Sequence, residues 1–330
     1  MRVGINGFGR IGRQFLRIAW ERPDVDVVHI NDVADARTLA HLLKYDSTYG
    51  VWPHEVGGEG DMLSIDGHTI GFSTEKDPSR LPWKHSRVDV VLESSGKFRK
   101  REEGQAHLDA GARKVLISAP GKSRLDATIV LGVNSQDYDV NQHHVISIGS
   151  CTTNAFAPIA KVLHAEFGVE KGLMTTVHAF TTSQQLLDSP HKDLRRARGA
   201  TQNIIPTSTG AAKSVGLVLP ELAERIDALA MRVPVACGSI VDFNALLGRA
   251  TTPRAINDAM RRWSSESMQT ILRVADAPVV SSDVVGEPHS AVLSPDDTRV
   301  QNDTLVKVLA WYDNEWGFSN RLADMMERML

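Results

Sequence analysis

A glycine-rich turn between a short apolar strand and a helix constrains the fold of this chain more than any other feature. Val3-Gly4-Ile5 is strand-like, and Gly7-Phe8-Gly9-Arg10-Ile11-Gly12 follows it directly. In this context Gly7 permits the tight turn, Gly9 lets a pyrophosphate approach the backbone, and Gly12 lets helix and strand pack closely. Many tight turns carry glycines, so the motif alone is weak, but its place between strand and helix predicts a dinucleotide-binding unit.

A carboxylate at the end of the second strand supports the same prediction. The strand Val25-Asp26-Val27-Val28-His29-Ile30 is followed by Asn31-Asp32, and Asp32 lies 25 positions after Gly7. This is close to the spacing of the acidic residue that bonds the adenosine ribose. Asp32 as a helix cap or turn residue is the alternative. Because a carboxylate repels a 2′-phosphate, the pattern favours NAD over NADP.

Alternating apolar strands and helices continue through the first half and predict a doubly wound, largely parallel sheet. Further strands are expected at 88–93, 114–118, 127–132 and 144–149, with a helix at 104–110. Polar residues follow several of these strands, namely Ser94-Ser95-Gly96, Ser118 and Ser150-Cys151. Ligands of such sheets bind at the carboxyl ends of the strands, so we expect Cys151 and the dinucleotide to share one crevice.

Cys151 is the candidate nucleophile. The strand before it and the helical spacing of apolar residues after it place the thiol at a helix N-terminus. Free N–H groups and the helix dipole favour a thiolate there, and Ser150 and Thr152 add hydroxyls beside it. A small buried hydrophobe is the usual alternative for an intracellular cysteine. Cys237, in Val235-Ala236-Cys237-Gly238, lacks this setting and is predicted to be structural.

The bulk properties limit the classes of protein that remain. With 330 residues the chain predicts two domains, and its net charge of −3 gives no nucleic-acid footprint. Two cysteines cannot form a disulfide framework, so the reducing cytoplasm is expected. We expect no signal peptide, no membrane span and no metal site.

The second half has a different order of strands and helices, which predicts an α+β domain with a mainly antiparallel sheet. Strands with few intervening helices are expected at 174–180, 228–233, 239–246 and 305–311, and helices at 253–264 and 319–329. The predicted boundaries are 1–150 for the NAD-binding domain and 151–314 for the catalytic domain, with the last helix, about 315–330, packing back on the first.

His178 ends one of these strands and is the candidate partner of the thiol. A lone histidine is usually structural, but across a cleft from an activated cysteine it would form an ion pair and act as general base. The long aperiodic segment from Thr181 to Gln202 is unusual unless functional. Thr207-Ser208-Thr209-Gly210 resembles an anion-binding helix entry. Arg232, a charge within a strand, requires an anionic partner.

These features together resemble the phosphorylating glyceraldehyde-3-phosphate dehydrogenase family over the whole chain. The motifs that carry the resemblance are Ile5-Asn6-Gly7-Phe8-Gly9-Arg10-Ile11-Gly12-Arg13, Ser150-Cys151-Thr152-Thr153-Asn154, Pro190-His191-Lys192-Asp193-Leu194-Arg195-Arg196-Ala197-Arg198, Pro206-Thr207-Ser208-Thr209-Gly210-Ala211-Ala212-Lys213, Met231-Arg232-Val233-Pro234 and Trp311-Tyr312-Asp313-Asn314-Glu315-Trp316-Gly317.

The resemblance implies a reaction and a set of site residues. Cys151 would attack an aldehyde, His178 would take the proton, hydride would pass to NAD, and inorganic phosphate would split the thioester. Substrate phosphate would lie at Thr181 and Arg232, and inorganic phosphate at Ser150, Thr209 and Gly210 with Arg196 nearby and Thr152 adjoining. The resemblance also implies a homotetramer and a cofactor site formed by Asn6, Gly7, Phe8, Gly9, Arg10, Ile11, Gly12, Asp32, Ser95, Gly96, Ser118 and Asn314.

Three departures leave more specialised functions open. The usual Thr-x-Asp-Gln after the histidine is Thr181-Thr182-Ser183-Gln184 here, so a carboxylate is replaced by Ser183. Ala236-Cys237-Gly238 replaces Pro-Asp-Gly, and Ser94-Ser95-Gly96-Lys97 replaces Cys/Ser-Thr-Gly-x. The alternatives are an erythrose-4-phosphate dehydrogenase, a paralogue that uses arsenate, and a catalytically idle NAD-binding protein.

Overall fold

The computed structural model describes all 330 residues, which fold into two compact units. The first unit comprises Met1–Ile129, Gln136–Gly149 and Ser319–Leu330. The second comprises Val130–Ser135 and Ser150–Phe318. None of the helices combines the length and apolar character that a membrane span requires.

A nine-stranded, largely parallel sheet forms the centre of the first unit. Its strand order is β10-β11-β9-β8-β1-β2-β7-β6-β5, and only the pairs that involve β5 and β6 are antiparallel. The strands of this sheet are β1 (Arg2–Asn6), β2 (Asp26–Asn31), β5 (Val56–Glu59), β6 (Met62–Ile65), β7 (His68–Ser73), β8 (Val90–Glu93), β9 (Lys114–Ile117), β10 (Ala127–Thr128) and β11 (Val145–Ser147). A separate hairpin joins β3 (Tyr45–Asp46) to β4 (Gly50–Val51).

Three helices connect these strands, and the C-terminal segment joins the same unit. They are α1 (Arg10–Trp20), α2 (Ala36–Lys44) and α3 (Arg101–Asp109). Arg22, which follows α1, forms ion pairs with Asp324 (2.8 Å) and Glu327 (3.0 Å) near the C-terminus. These contacts attach the end of the chain to the segment that follows α1.

The second unit is built on a seven-stranded sheet with the order β13-β14-β12-β15-β18-β17-β16. Four of its six strand pairs are antiparallel, whereas β12 with β14 and β16 with β17 are parallel. Its strands are β12 (Val169–Ala179), β13 (Ile205–Ser208), β14 (Ile226–Val233), β15 (Ser239–Leu247), β16 (Leu272–Val274), β17 (Ala291–Gln301) and β18 (Leu305–Tyr312). Its helices are α4 (Cys151–Phe167), α5 (Ala211–Val218) and α6 (Pro253–Glu266). The last helix, α7 (Trp316–Met326), begins in the second unit and belongs to the first unit from Ser319 onward.

The predicted α/β fold class is confirmed, with a parallel sheet in the first half and a mainly antiparallel sheet in the second. The strand predicted at 127–132 was wrong in length, because only Ala127–Thr128 pairs with a neighbour. Beyond it the chain turns, with Gly132 at a φ of +80° and the Asn134 side chain accepting a hydrogen bond from Val130 N. The antiparallel strands β5 to β7 were not predicted.

Candidate active site

Cys151 is the first residue of α4, as the sequence predicted. Gly149 adopts a φ of +76°, which turns the chain sharply after β11. Ser150 then caps the helix, because its Oγ accepts a hydrogen bond from Thr153 N (3.1 Å) while Thr153 Oγ1 accepts one from Ser150 N (3.3 Å). The thiol therefore lies at the positive end of a 17-residue helix and keeps partial solvent exposure.

His178 lies next to the thiol, near the end of β12. Its Nε2 is 3.5 Å from Cys151 Sγ, and the residue is only 3% exposed. In the parallel pairing of β12 with β14, His178 is opposite Arg232. Arg232 Nη1 donates to the carbonyl oxygen of Ala179 (2.9 Å) and lies 2.7 Å from His178 Nδ1. A thiol, an imidazole and a guanidinium from three elements thus form one cluster.

Burial dominates the electrostatics of this cluster. It raises the pKa of the Cys151 thiol, although Arg232 and the N–H groups of the first helical turn act in the opposite direction. Burial also lowers the pKa of His178 to about 3, and the charge of Arg232 contributes to that shift. The helix position alone predicted a favoured thiolate, but burial outweighs it in this state. The arrangement therefore has a neutral imidazole that can accept a proton from the thiol as the sulfur attacks.

Two buried donors, one in the cluster and one six residues after His178, have no partner within the protein. Arg232 Nε and Gln184 Nε2 are both buried and make no hydrogen bond. Near Gln184, the hydroxyls of Thr181 and Ser183 are 2.9 Å apart. Unpaired buried donors are costly, so this part of the site is suited to an anionic ligand.

Thr152 and Tyr312 form a hydrogen-bonded link beneath the cluster that sequence reasoning missed. Tyr312 OH lies 2.9 Å from Thr152 Oγ1 and 2.8 Å from Thr176 Oγ1, and its ring packs edge-on against His178 at 5.9 Å. The Thr152 hydroxyl is thus engaged by the protein. Tyr312 belongs to the motif Trp311–Gly317, which was the available signal.

Three further predicted anion ligands, Arg196, Thr209 and Gly210, lie in the second unit and make no hydrogen bond to Cys151 or His178. Arg196 Nε donates to Thr207 Oγ1 (2.8 Å) and lies 3.5 Å from Asp193 Oδ2. Thr209 Oγ1 accepts from Ala211 N (3.2 Å) at the start of α5, and Gly210 caps that helix without a side chain. Asn314 is buried, with its Oδ1 accepting from Ser239 Oγ (2.9 Å).

Apart from Asn314, which belongs to the second unit, the predicted cofactor residues lie together in the first unit. Gly7 has a φ of +92°, and a Cβ there would be 2.3 Å from Ser95 N, so only glycine fits. Asp32 Oδ2 accepts a hydrogen bond from Phe8 N (2.6 Å), which holds the glycine turn against the end of β2. Gly96 adopts a φ of +72° after β8, and Ser118 N donates to Glu93 O (3.0 Å).

Side-chain hydrogen bonds to acidic residues of the first unit hold the residues that flank the turn. Arg10 Nη1 donates to Asp46 Oδ2 (2.6 Å), and the Asn6 side chain donates to the buried Glu93 (2.5 Å). Ile11 follows Arg10 in the first turn of α1, where it is partly buried. These contacts fix the turn from both of its ends.

Comparison with known proteins identifies the family. Residues 1–101 match the description "Glyceraldehyde 3-phosphate dehydrogenase, NAD binding domain", and residues 150–314 match the C-terminal domain of the same family. The chain belongs to the glyceraldehyde-3-phosphate dehydrogenase family. The resemblance drawn from the sequence motifs is thereby confirmed.

Bacterial members of the glyceraldehyde-3-phosphate dehydrogenase family are similar to this chain over nearly its full length. Glyceraldehyde-3-phosphate dehydrogenase 2 of Streptomyces avermitilis is 50% identical over 326 residues, and the enzyme of Geobacillus stearothermophilus is 50% identical over 325. Glyceraldehyde-3-phosphate dehydrogenase 1 of Bacillus subtilis is also 50% identical over 325 residues. Each alignment covers 98% of this chain and 97% of the relative.

The chain is accordingly an NAD-dependent oxidoreductase, as predicted, and its first unit fits the cofactor. A Cβ added at Gly9 would meet no atom within 4 Å, so the backbone of the turn is open on that side. A Cβ at Gly12 would lie 2.5 Å from Gly7 O, so α1 approaches the turn closely. An open Gly9 facing away from the protein is what the close approach of a pyrophosphate requires.

Proposed function

We propose that this protein oxidises glyceraldehyde 3-phosphate to 1,3-bisphosphoglycerate in an NAD-dependent, phosphate-requiring reaction. The observation that carries the proposal is the 3.5 Å contact between Cys151 Sγ and His178 Nε2 beside the partly unpaired guanidinium of Arg232. A nucleophile, a base and an anion-binding cation within one cluster are the groups that phosphorylating aldehyde oxidation requires.

The proposed chemistry begins with the thiol. Cys151 Sγ attacks the aldehyde carbon while His178 Nε2 accepts the thiol proton and passes it to the new alkoxide, giving a hemithioacetal. Bound NAD would supply the hydride acceptor for that carbon. His178 accepts the hydroxyl proton as the carbonyl forms, which leaves a thioester on Cys151. An oxygen of inorganic phosphate then attacks the thioester carbon, and the sulfur leaves to give the acyl phosphate.

The anionic groups of the reactants are assigned to two sets of residues. Thr181 and Arg232 are proposed to bind the substrate phosphate, a role supported by the unpaired Arg232 Nε. Inorganic phosphate is proposed to bind at the starts of α4 and α5, where N–H groups favour anions. Its proposed ligands are Ser150, Thr152, Thr209, Gly210 and Arg196.

The cofactor and domain assignments complete the proposal. Residues 1–150 are proposed to form the NAD-binding domain, and the helix of about 315–330 is proposed to pack back on it. Residues 151–314 are proposed to form the catalytic domain. The proposed NAD ligands are Asn6, Gly7, Phe8, Gly9, Arg10, Ile11, Gly12, Asp32, Ser95, Gly96, Ser118 and Asn314.

Exposed apolar side chains of the second unit support the proposed homotetramer. Leu194 is 81% exposed, and Leu194 and Leu229 line one surface groove. Large exposed apolar groups of this kind mark association surfaces. Sedimentation equilibrium tests the tetramer, and a monomer at micromolar concentration would contradict it. The cytoplasm, inferred from the cysteine content, remains the proposed location.

Ser183 is the observation that favours a specialised paralogue as the second candidate. Its hydroxyl bonds Thr181 where the family pattern has a carboxylate. Loss of a negative charge beside a substrate-phosphate site would change the preferred sugar phosphate or the acceptor anion. Erythrose 4-phosphate and arsenate are the alternatives to test.

The experiment measures NADH formation with NAD and glyceraldehyde 3-phosphate in the presence of phosphate, of arsenate and of neither, and repeats it with erythrose 4-phosphate. Phosphate-dependent turnover of the three-carbon sugar supports the proposal, and a strong preference for arsenate or the four-carbon sugar supports the second candidate. Cys151→Ser should abolish turnover. Cys237→Ser is the matched control, because it removes the other, buried thiol. Wild-type protein that binds NAD but turns over no substrate would identify an idle scaffold.

A further inference from the structure

A buried carboxylate lies directly behind the glycine turn. Glu93 is the last residue of β8 and is 2% exposed. Its Oε2 accepts hydrogen bonds from Asn6 Nδ2 (2.5 Å) and His107 Nε2 (3.1 Å). Its Oε1 accepts from the backbone N (2.9 Å) and the hydroxyl (2.5 Å) of Ser95. Four donors thus converge on one side chain, which satisfies a buried carboxylate without a lysine or arginine partner.

Trp83 determines how His107 faces this carboxylate. Trp83 Nε1 lies 3.0 Å from His107 Nδ1, and an indole N–H can only donate. His107 Nδ1 must therefore be the acceptor, so the proton of the neutral imidazole is on Nε2 and points at Glu93. His107 is completely buried, and Trp83 holds this tautomer in place. Since every neighbour of Glu93 donates, an ionised carboxylate, which only accepts, matches the arrangement.

The same network continues across the ends of three adjacent parallel strands. Asn6 Oδ1 accepts a hydrogen bond from Asn31 Nδ2 (2.8 Å), and Asn31 directly precedes Asp32 at the end of β2. Glu93, Asn6 and Asn31 therefore connect β8, β1 and β2 at their carboxyl ends. On the other side, Glu93 holds Ser95 against the glycine turn, where the Gly7 Cα faces the Ser95 backbone too closely for any side chain.

We propose that Glu93 is a positioning residue for NAD. It sets the separation between the strand end that carries Asp32 and the segment that carries Ser95, while His107 and Trp83 keep its carboxylate aligned. Glu93 touches no reacting atom and acts through Asn6 and Ser95. The inference rests on the proposed placement of NAD at these strand ends.

Glu93→Gln tests the proposal with almost no change of shape. A glutamine presents an NH2 group in place of one carboxylate oxygen. Depending on its orientation, either the two Ser95 donors lose their acceptor, or Asn6 and His107 both lose theirs. We expect the NAD dissociation constant, measured by calorimetry, to rise about tenfold or more, because buried hydrogen bonds to charged groups are among the strongest. The KM for NAD should rise in parallel, while kcat at saturating NAD stays within about threefold. Glu102→Gln, an exposed position on α3, is the matched control and should bind NAD like the wild type.

A second variant keeps the test decisive if the first fails to fold. His107→Phe preserves an aromatic side chain but removes the donor to Glu93, and it should also weaken NAD binding several-fold. A lower melting temperature with NAD affinity within about twofold of wild type, in both variants, would reduce Glu93 to a structural role and overturn the proposal. Wild-type turnover separates this outcome from a failure of the proposed function. If the wild type is inactive but Glu93→Gln still weakens its NAD binding, the positioning role of Glu93 stands and only the proposed reaction is refuted.

Discussion

Replacing Arg232 with glutamine provides the sharpest test of the substrate-phosphate assignment. Arg232 Nε is buried and unpaired, whereas Nη1 already contacts Ala179 O and His178 Nδ1. A phosphate would therefore gain at least one charge-assisted hydrogen bond that the free protein lacks. Such bonds contribute about 1.5 to 3 kcal/mol, so the loss in kcat/KM for glyceraldehyde 3-phosphate should be about 10- to 150-fold from this contact alone.

Arg232 also acts on the catalytic pair, and unphosphorylated glyceraldehyde separates the two effects. The guanidinium lowers the pKa values of both Cys151 and His178, although burial is the larger influence on each. Both substrates should therefore lose activity when Arg232 is replaced, and the phosphorylated one should lose about 10- to 150-fold more. Arg232→Lys keeps the charge but not the fork of donors, so its activity on the phosphorylated substrate should lie between those of the wild type and Arg232→Gln. Equal losses for the two substrates would show that Arg232 does not bind the phosphate.

Three further variants test the other assignments. His178→Asn should slow iodoacetamide labelling of Cys151 at neutral pH by about tenfold or more, and an unchanged rate would remove His178 from the mechanism. Asp32→Gly should weaken NAD binding and relax discrimination against NADP in paired titrations, whereas unaltered NAD affinity would refute the ribose assignment. Burial disfavours the charge of Glu287, but hydrogen bonds from a neighbouring histidine and the charge of Arg273 lower its pKa to about 2. The ionised Glu287 side chain therefore stabilises the folded state above about pH 4.5, and this contribution is lost as the pH falls towards 2. In urea unfolding, the difference in free energy of unfolding between the wild type and Glu287→Gln should decrease by about 1 kcal/mol from pH 7 to pH 3.5.

The features that the sequence predicted correctly are those specified locally. The glycine turn needs only a strand, three spaced glycines and a helix, and the site of Cys151 needs only a strand, a capping serine and a helix. Each depends on about a dozen neighbouring residues. The predicted strand at 127–132 failed because Gly132 and Asn134 form a turn that the apolar pattern does not reveal.

The features that the sequence did not predict depend on residues that are far apart in the chain. Asn6 and Glu93 are separated by 87 positions, and Thr152 and Tyr312 by 160. Nothing in the local sequence around Glu93 distinguishes it from a solvent-exposed glutamate at the end of a strand. Only the strand order, which brings β8 beside β1, turns it into a buried acceptor.

The separation between Cys151 and His178 depends on how α4 packs on the sheet beneath it. Phe156 of α4 meets Phe243 of β15 edge-on, with ring centroids 4.8 Å apart. A Cβ at Gly172 in β12 would lie 2.5 Å from Phe243 Cε2, so the absent side chain makes room for this ring. The aromatic pair thus fixes the height of the helix above the same strand that carries His178. Because β12 also pairs with β14, a slip of one residue between them would move Arg232 to the opposite face of the sheet. The chemistry therefore depends on packing and register at positions such as Phe156, Gly172 and Phe243, which lie outside the motifs that carry the reacting side chains.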